Sequence, residues 1–306
     1  MSDGQKRMQS AYDCLASWDL SQLAEEDLLL LFHQENWKRM NKEQRLQAMQ
    51  EVENRRARAD GRPPVEIIVE GNMPPENFGG YQMRPDGGET IRINRRFVTA
   101  GKLFSGADTS IYNGASALAT VLHEGRHAFQ CHAVRNGLGN IAEQVRREWA
   151  AVMPVMNGLY NNQNPVIYML QSIEMDARRF SRRKIMRIYQ FFKTIGAQDP
   201  NFENYIVQDL QEEALLISLV RAHMTREMID QYEEMVKEHF KRTHPEIDLS
   251  ALGLFDHVRF ILDHPEIQNP LEMLKCLDRM ADEKLAMQDG ANMNRFKNPG
   301  LNGLKR

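Results

Sequence analysis

The sequence predicts an α+β fold that is mainly α: a small antiparallel or mixed sheet, one long helix, and a downstream helical region. Three observations predict it. Apolar residues recur at helical spacing through most of the 306 residues. Alternation of polar and apolar residues is confined to the stretch 65–94. Between the two lies His123-Glu124-Gly125-Arg126-His127, an HExxH run embedded in a largely apolar helix.

Residues 8–60 read as two or three helices. Leu20, Leu23, residues 28–31 and Phe32 supply the buried side of the first set. Trp37, Met40, Leu46, Met49 and Val52 recur at near-helical spacing in the next. The run Glu53-Asn54-Arg55-Arg56-Ala57-Arg58 reads as a solvated helix end rather than a nucleic-acid patch. Gly61-Arg62-Pro63-Pro64 stops the helix, since proline lacks the N–H a helix needs. Residues 65–69 and 81–84 then read as strands, Pro85-Asp86-Gly87-Gly88 as a turn, and residues 89–94 as an alternating strand. Beyond the motif everything reads as helical, broken at residues 161–165, Asp199-Pro200, His244-Pro245 and His264-Pro265. The tail from Gly290, rich in Asn, Gly and Lys, reads as loosely ordered.

Composition sets bounds on function. Hydrophobic content of 42% and charged content of 26% are those of an ordinary globular protein. A net charge of −3 advertises no basic field for nucleic acid. Cys14, Cys131 and Cys276 are too few and too widely spaced for a disulfide framework and fit free thiols, Cys131 as a buried structural one. No apolar run is long enough for a membrane span or a Sec-type signal. The expected location is the cytoplasm, or delivery by a specialised secretion machine. The 18 methionines read as core filler, and no Gly-rich phosphate loop or four-Cys module is present.

The chemistry concentrates at the motif. Histidines at i and i+4 stand one above the other on a helical face, so His123 and His127 can converge on one Zn²⁺. Glu124 projects beside that metal, where it can hold a water and act as general base. The helix around them is apolar through Leu118, Val121, Leu122, Ala128 and Phe129, and polar groups in such a setting need partners. A third ligand is required for a catalytic site. His132 is rotated off the ligand face, and Ala133 stands where HExxHxxGxxH would have its third histidine. Glu143 and Glu148 read as the outer face of a charged helix with Arg146 and Arg147. Glu174 is the better candidate: on a helix starting near Pro165, it shares the edge of a buried face with Leu170, Ile173 and Ala177. An exposed Glu174, or one paired with Arg178 at i+4, is the plain alternative. Asp176 is the reserve ligand, a partner for a ligand histidine, or a solvated helix residue.

A small sheet, an HExxH helix and a second helix carrying Glu174-Met175-Asp176-Ala177 together resemble a zincin metallopeptidase of the glutamate-zincin branch. The resemblance covers about residues 65 to 195, and the run His-Glu-Gly-Arg-His-Ala-Phe-Gln also resembles compact bacterial zincin domains, some of them in toxins or secreted effectors. It implies an N-terminal helical region at 1–64, a zincin-like catalytic core at 65–200 and a C-terminal helical region at 201–306, or one compact unit. It implies His123, His127 and Glu174 as ligands of Zn²⁺, Glu124 as general base, and a protein or peptide substrate. Two residues depart from the pattern: Arg126 stands at a usually uncharged position, and Arg178 where many relatives have an aspartate.

An oxyanion donor is also expected, and Tyr160, Tyr168, Tyr205 and His223 are the candidates. Gly79-Gly80-Tyr81 and the strand with Ile91 and Ile93 are candidate edges for an added peptide strand, with an ordinary glycine turn as the alternative. His239, His244, His257 and His264 lack i,i+4 pairing and read as surface or capping residues. The competing functions are a non-catalytic helical interaction protein on a zincin scaffold, and a zinc hydrolase of a non-peptide amide.

Overall fold

The structure is a computed structural model that describes residues 3–17, 20, 22–84, 87–99, 111–156, 165–245, 247–249 and 252–286. The chain forms two compact units, residues 1–128 with 180–208 and residues 129–179 with 209–306. It is mainly helical, with a single three-stranded sheet among the described residues.

The first unit opens with α1 (Asp3–Ala16), α2 (Glu25–Leu29), a 3-10 turn (Leu30–Phe32), α3 (Gln34–Arg39) and α4 (Lys42–Asp60). The expected two or three helices are therefore four, with a 3-10 turn between. The reason is local. Met40 leaves α3 in an extended conformation, and Asn41 begins α4 with a capping box: its side chain accepts from the Gln44 N–H at 2.9 Å, and the Gln44 side chain accepts from the Asn41 N–H at 3.0 Å. Gly61, at φ 73°, ends α4 in the left-handed conformation that favours glycine.

Glu53 corrects the reading of a solvated helix end. It is fully buried and forms an ion pair with Arg62 through contacts of 2.6 and 2.9 Å, with a further bond from the Val65 N–H at 3.0 Å. The charged run thus has an inward face, because the chain doubles back at Gly61 and brings Arg62 over α4.

Strands β1 (Glu66–Glu70), β2 (Gly79–Met83) and β3 (Glu89–Asn94) form a mixed sheet in the order β1-β3-β2. β1 runs parallel to β3 and β2 antiparallel to it, with Ile67 and Tyr81 both opposite Ile91. Ile67, Ile91 and Ile93 are buried in one cluster with Leu118, Val121 and Leu122. After α5 (Arg96–Thr99) comes α6 (Gly114–Asn136), which carries the motif. The Asn113 side chain accepts from the Ser116 N–H at 3.0 Å and so caps its start.

The remaining helices are α7 (Glu143–Met156), α8 (Pro165–Met169), α9 (Ser172–Thr194), α10 (Pro200–His223), α11 (Arg226–Thr243), α12 (Asp256–Asp263) and α13 (Pro270–Ala286). The second unit packs around Phe129, Trp149, Ile167, Leu170, Ile217, Phe240 and Phe255. Glu148 belongs to this interior, not to the outer face of α7: it is 2% exposed and meets Lys284 at 2.5 Å. It lies one residue before the buried Trp149, on the inward side of a helix whose outward residues pair Glu143 with Arg146 and Arg147. Cys131 is buried, as expected, and is in no disulfide. His244 and His264 close α11 and α12 and stack on Phe240 and Phe260, which bears out capping roles for both. No described helix is long and apolar enough to cross a membrane. Tyr160, the residues 161–164 and the tail from Gly290 lie outside the described residues.

Candidate metal centre

One helical turn separates His123 from His127, and their Nε2 atoms lie 3.1 Å apart with the rings edge-on. His127 is buried and His123 half-buried. Glu174 is 3% exposed, and a ligand atom from each of His123, His127 and Glu174 lies within 4.8 Å of the others.

Glu174 is placed by a break in the chain. The expected helix from Pro165 ends as α8 at Met169, where His257 Nε2–H donates to the Leu170 carbonyl at 2.6 Å. The chain restarts at Ser172, so Glu174 falls in the first turn of α9, where the helix dipole favours a carboxylate. Its Oε1 accepts from the Tyr168 hydroxyl at 2.6 Å. Arg178 meets Glu213 at 2.6 Å and donates to the Met169 carbonyl at 3.3 Å.

Asp176 falls outside the cluster. Its Oδ2 accepts from Gln130 Nε2 at 2.8 Å, and the same amide donates to the Ile173 carbonyl at 2.9 Å. Gln130 is fully buried and ties α6 to α9 three residues past His127. Nothing local in the sequence marks that role, because it depends on where α9 passes.

Glu124 is 8% exposed, and its Oε2 accepts from the Tyr81 N–H of strand β2 at 2.6 Å. The edge strand therefore touches the acid of the motif directly. Gly79 makes this possible: a Cβ there would stand 2.5 Å from Thr120 Cγ2 and 3.5 Å from Glu124 Cγ. On another side, Gly125 faces the buried ion pair, with Arg62 Nη2 donating to the Gly125 carbonyl at 3.2 Å. Arg126 turns aside, its guanidinium 5.1 Å from the centre of the Phe180 ring.

Of the oxyanion candidates, Tyr168 contacts Glu174, His223 is exposed at the end of α10, and Tyr205 packs against the core of the first unit. His257, expected at the surface or as a cap, is half-buried and caps the end of α8 through the Leu170 carbonyl, and burial holds its pKa down to about 4.

No family model, curated protein or solved structure matches the chain. The chemistry of the site is therefore read from its own donors. Two imidazoles and one carboxylate are a donor set that suits zinc, and a tetrahedral centre with bonds of ~2.0–2.1 Å holds its ligands roughly 3.4 Å apart. The 3.1 Å between the two Nε2 atoms is close to such an edge. His123, His127 and Glu174 could hold a metal ion.

Proposed function

We propose that the chain is a zinc-dependent peptidase in which His123, His127 and Glu174 hold the metal and Glu124 is the general base. One observation carries this reading: HExxH lies on a buried helical face, and a carboxylate, as third donor, meets its two histidines within 4.8 Å. Zinc in such a site supplies Lewis acidity and lowers the pKa of water towards neutrality.

The protein groups divide the remaining work. The Tyr81 N–H fixes Glu124 Oε2, while Oε1 accepts no hydrogen bond from a described residue and is the oxygen that takes a proton. That proton passes from Glu124 to the leaving amine. Tyr168 holds Glu174 by one oxygen and sets its orientation. The proximity of β2 to Glu124 favours an extended peptide as substrate, laid along the strand by backbone hydrogen bonds.

The test is metal content first, then hydrolysis. Protein purified without added zinc is expected to carry about one zinc per chain, and the His123→Ala variant to lose it. On a peptide library, Glu124→Gln is expected to abolish cleavage while keeping the metal. Failure to take up zinc on titration would remove the proposal. Full activity in Glu124→Gln would remove the mechanism.

A further inference from the structure

A cavity of about 340 Å³ opens among α2, α4, α6 and α9, within the first unit. Its floor is apolar, formed by Leu28, Val52, Leu122, Ile188 and Phe191. Leu122 immediately precedes His123, so the cavity lies against the helical turn that carries the motif.

The charges around that floor are unevenly satisfied. Arg55 pairs with Glu51 at 2.8 Å and Arg56 pairs with Asp60. Lys184 and Arg187 also line the cavity, and neither makes a salt bridge with a described residue. The Lys184 ammonium lies 5.9 Å from the centre of the Phe180 ring, over which Arg56 and Arg126 also sit, at 4.7 and 5.1 Å. Burial, and then the neighbouring Arg56, hold the Lys184 pKa below its ordinary value, against the pull of Glu25. A ligand anion on this wall would offset the repulsion among these cations. On α2, Glu25 and Glu26 line the same cavity, also without a salt bridge to a described residue.

We propose that this cavity binds a small carboxylate with an apolar group. Its carboxylate lies on Lys184 and Arg187, and its apolar part covers the floor from Leu28 to Phe191. Two sources share that chemistry, an acyl carboxylate and an apolar amino acid. Glu25 and Glu26 separate them, since they attract an α-ammonium and repel a monoanion. The proposal needs neither the metal nor hydrolysis, so it stands or falls apart from the peptidase reading.

The experiment is calorimetric titration of the full chain with octanoate, L-phenylalanine and octylamine. At least one of the two carboxylates is expected to bind saturably at one per chain. Lys184→Met, which keeps the aliphatic stem, and Arg187→Gln at the exposed end of the wall are each expected to weaken it about tenfold. If phenylalanine binds, Glu25→Gln with Glu26→Gln weakens it and identifies the amino-acid source. If octanoate binds, the same pair strengthens it and identifies the acyl source. No saturable binding of either carboxylate up to about 10 mM overturns the proposal. Binding unchanged by both Lys184→Met and Arg187→Gln, or matched by octylamine, also overturns it.

Discussion

The Tyr168 hydroxyl donates to Glu174 at 2.6 Å, and that contact separates orientation from ligation. Tyr168→Phe removes the hydroxyl and leaves the carboxylate, so zinc affinity is expected to fall roughly 10–100-fold. Competition with a chelator measures this, and at saturating zinc the activity should return; an unchanged affinity would show that Tyr168 does not orient the ligand. A second residue-scale prediction concerns pH. Burial pushes the Glu148 carboxyl up to about 7 despite Lys284, and burial holds His257 down to about 4. Between 4.5 and 7 the folded Glu148 keeps a proton that the unfolded chain has lost, so its contribution to stability falls as pH rises. Between 4 and 6.5 the unfolded chain holds a proton that folded His257 lacks, so that contribution rises with pH. Each is worth roughly 3 kcal/mol over its full range, and they oppose one another where they overlap. Glu148→Gln is therefore expected to gain stability relative to the parent chain as pH rises from about 4.5 to 7, and His257→Gln to lose it from about 4 to 6.5. Denaturant midpoints of both variants against pH check this, and difference curves that are flat or of opposite sign refute it. His123 and His127 were legible in the sequence because i,i+4 spacing is a local property. Glu174 was legible because a lone acid at the edge of an apolar face needs a partner. Glu148 and Glu53 were misread for the converse reason: a run of charges looks solvated until the helix or loop that covers it is known.

At the scale of elements, the close approach of β2 to α6 depends on one glycine and not on the next. A Cβ on Gly79 would stand 2.5 Å from Thr120 Cγ2 and 3.0 Å from the Arg92 carbonyl oxygen, whereas one on Gly80 would meet only Arg92 Nη2, at 3.7 Å. Thr120 cannot easily retreat, because it is buried and its hydroxyl donates to the Ser116 carbonyl at 2.8 Å. Gly79→Ala should therefore push the strand off the helix, lengthen the Tyr81–Glu124 bond and cost about 1–3 kcal/mol of stability. Gly80→Ala should be tolerated in both stability and activity. Equal effects at the two positions would show that the close approach does not matter. The ion pair beneath the motif makes a matching case. Glu53→Gln leaves buried Arg62 with only the more distant Asp60, at 3.6 Å, as counter-charge and is expected to cost roughly 3 kcal/mol, while Glu53→Gln with Arg62→Met should recover much of it. Chemical denaturation of the single and double variants measures the difference. Residues 89–94 could be read as a strand from alternation alone, while Pro85 and Asp86 of the expected turn before them lie outside the described residues. The strand order could not be read, because β1 pairs with β3 across twenty-odd residues that include β2. The split of the Pro165 helix at Leu170 was hidden too, since the capping donor, His257, comes from α12.

For the whole molecule, the metal reading makes stability a function of zinc concentration. The three donors sit on two helices: His123 and His127 on α6, Glu174 on α9. An unfolded chain presents the same side chains without their geometry, so zinc binds the folded state preferentially and stabilises it by mass action. At free zinc about a hundredfold above the dissociation constant, the gain is roughly 2.7 kcal/mol. In a domain of 150–250 residues, 1 kcal/mol moves the midpoint by about 2–4 °C, so a rise of some 5–10 °C is expected. Chelation should return the melting temperature to the metal-free value, and fresh zinc should restore it. The Glu174→Gln variant separates ligation from adventitious binding. Zinc held by the two histidines alone would stabilise both proteins alike, whereas zinc held by all three donors should stabilise the variant far less. Asp176→Asn provides the counter-test, because Asp176 is held by Gln130 and lies outside the cluster. Its loss should shift the baseline stability and leave the zinc-dependent increment intact. If the increment instead vanished in Asp176→Asn and survived in Glu174→Gln, the third ligand would be reassigned to Asp176.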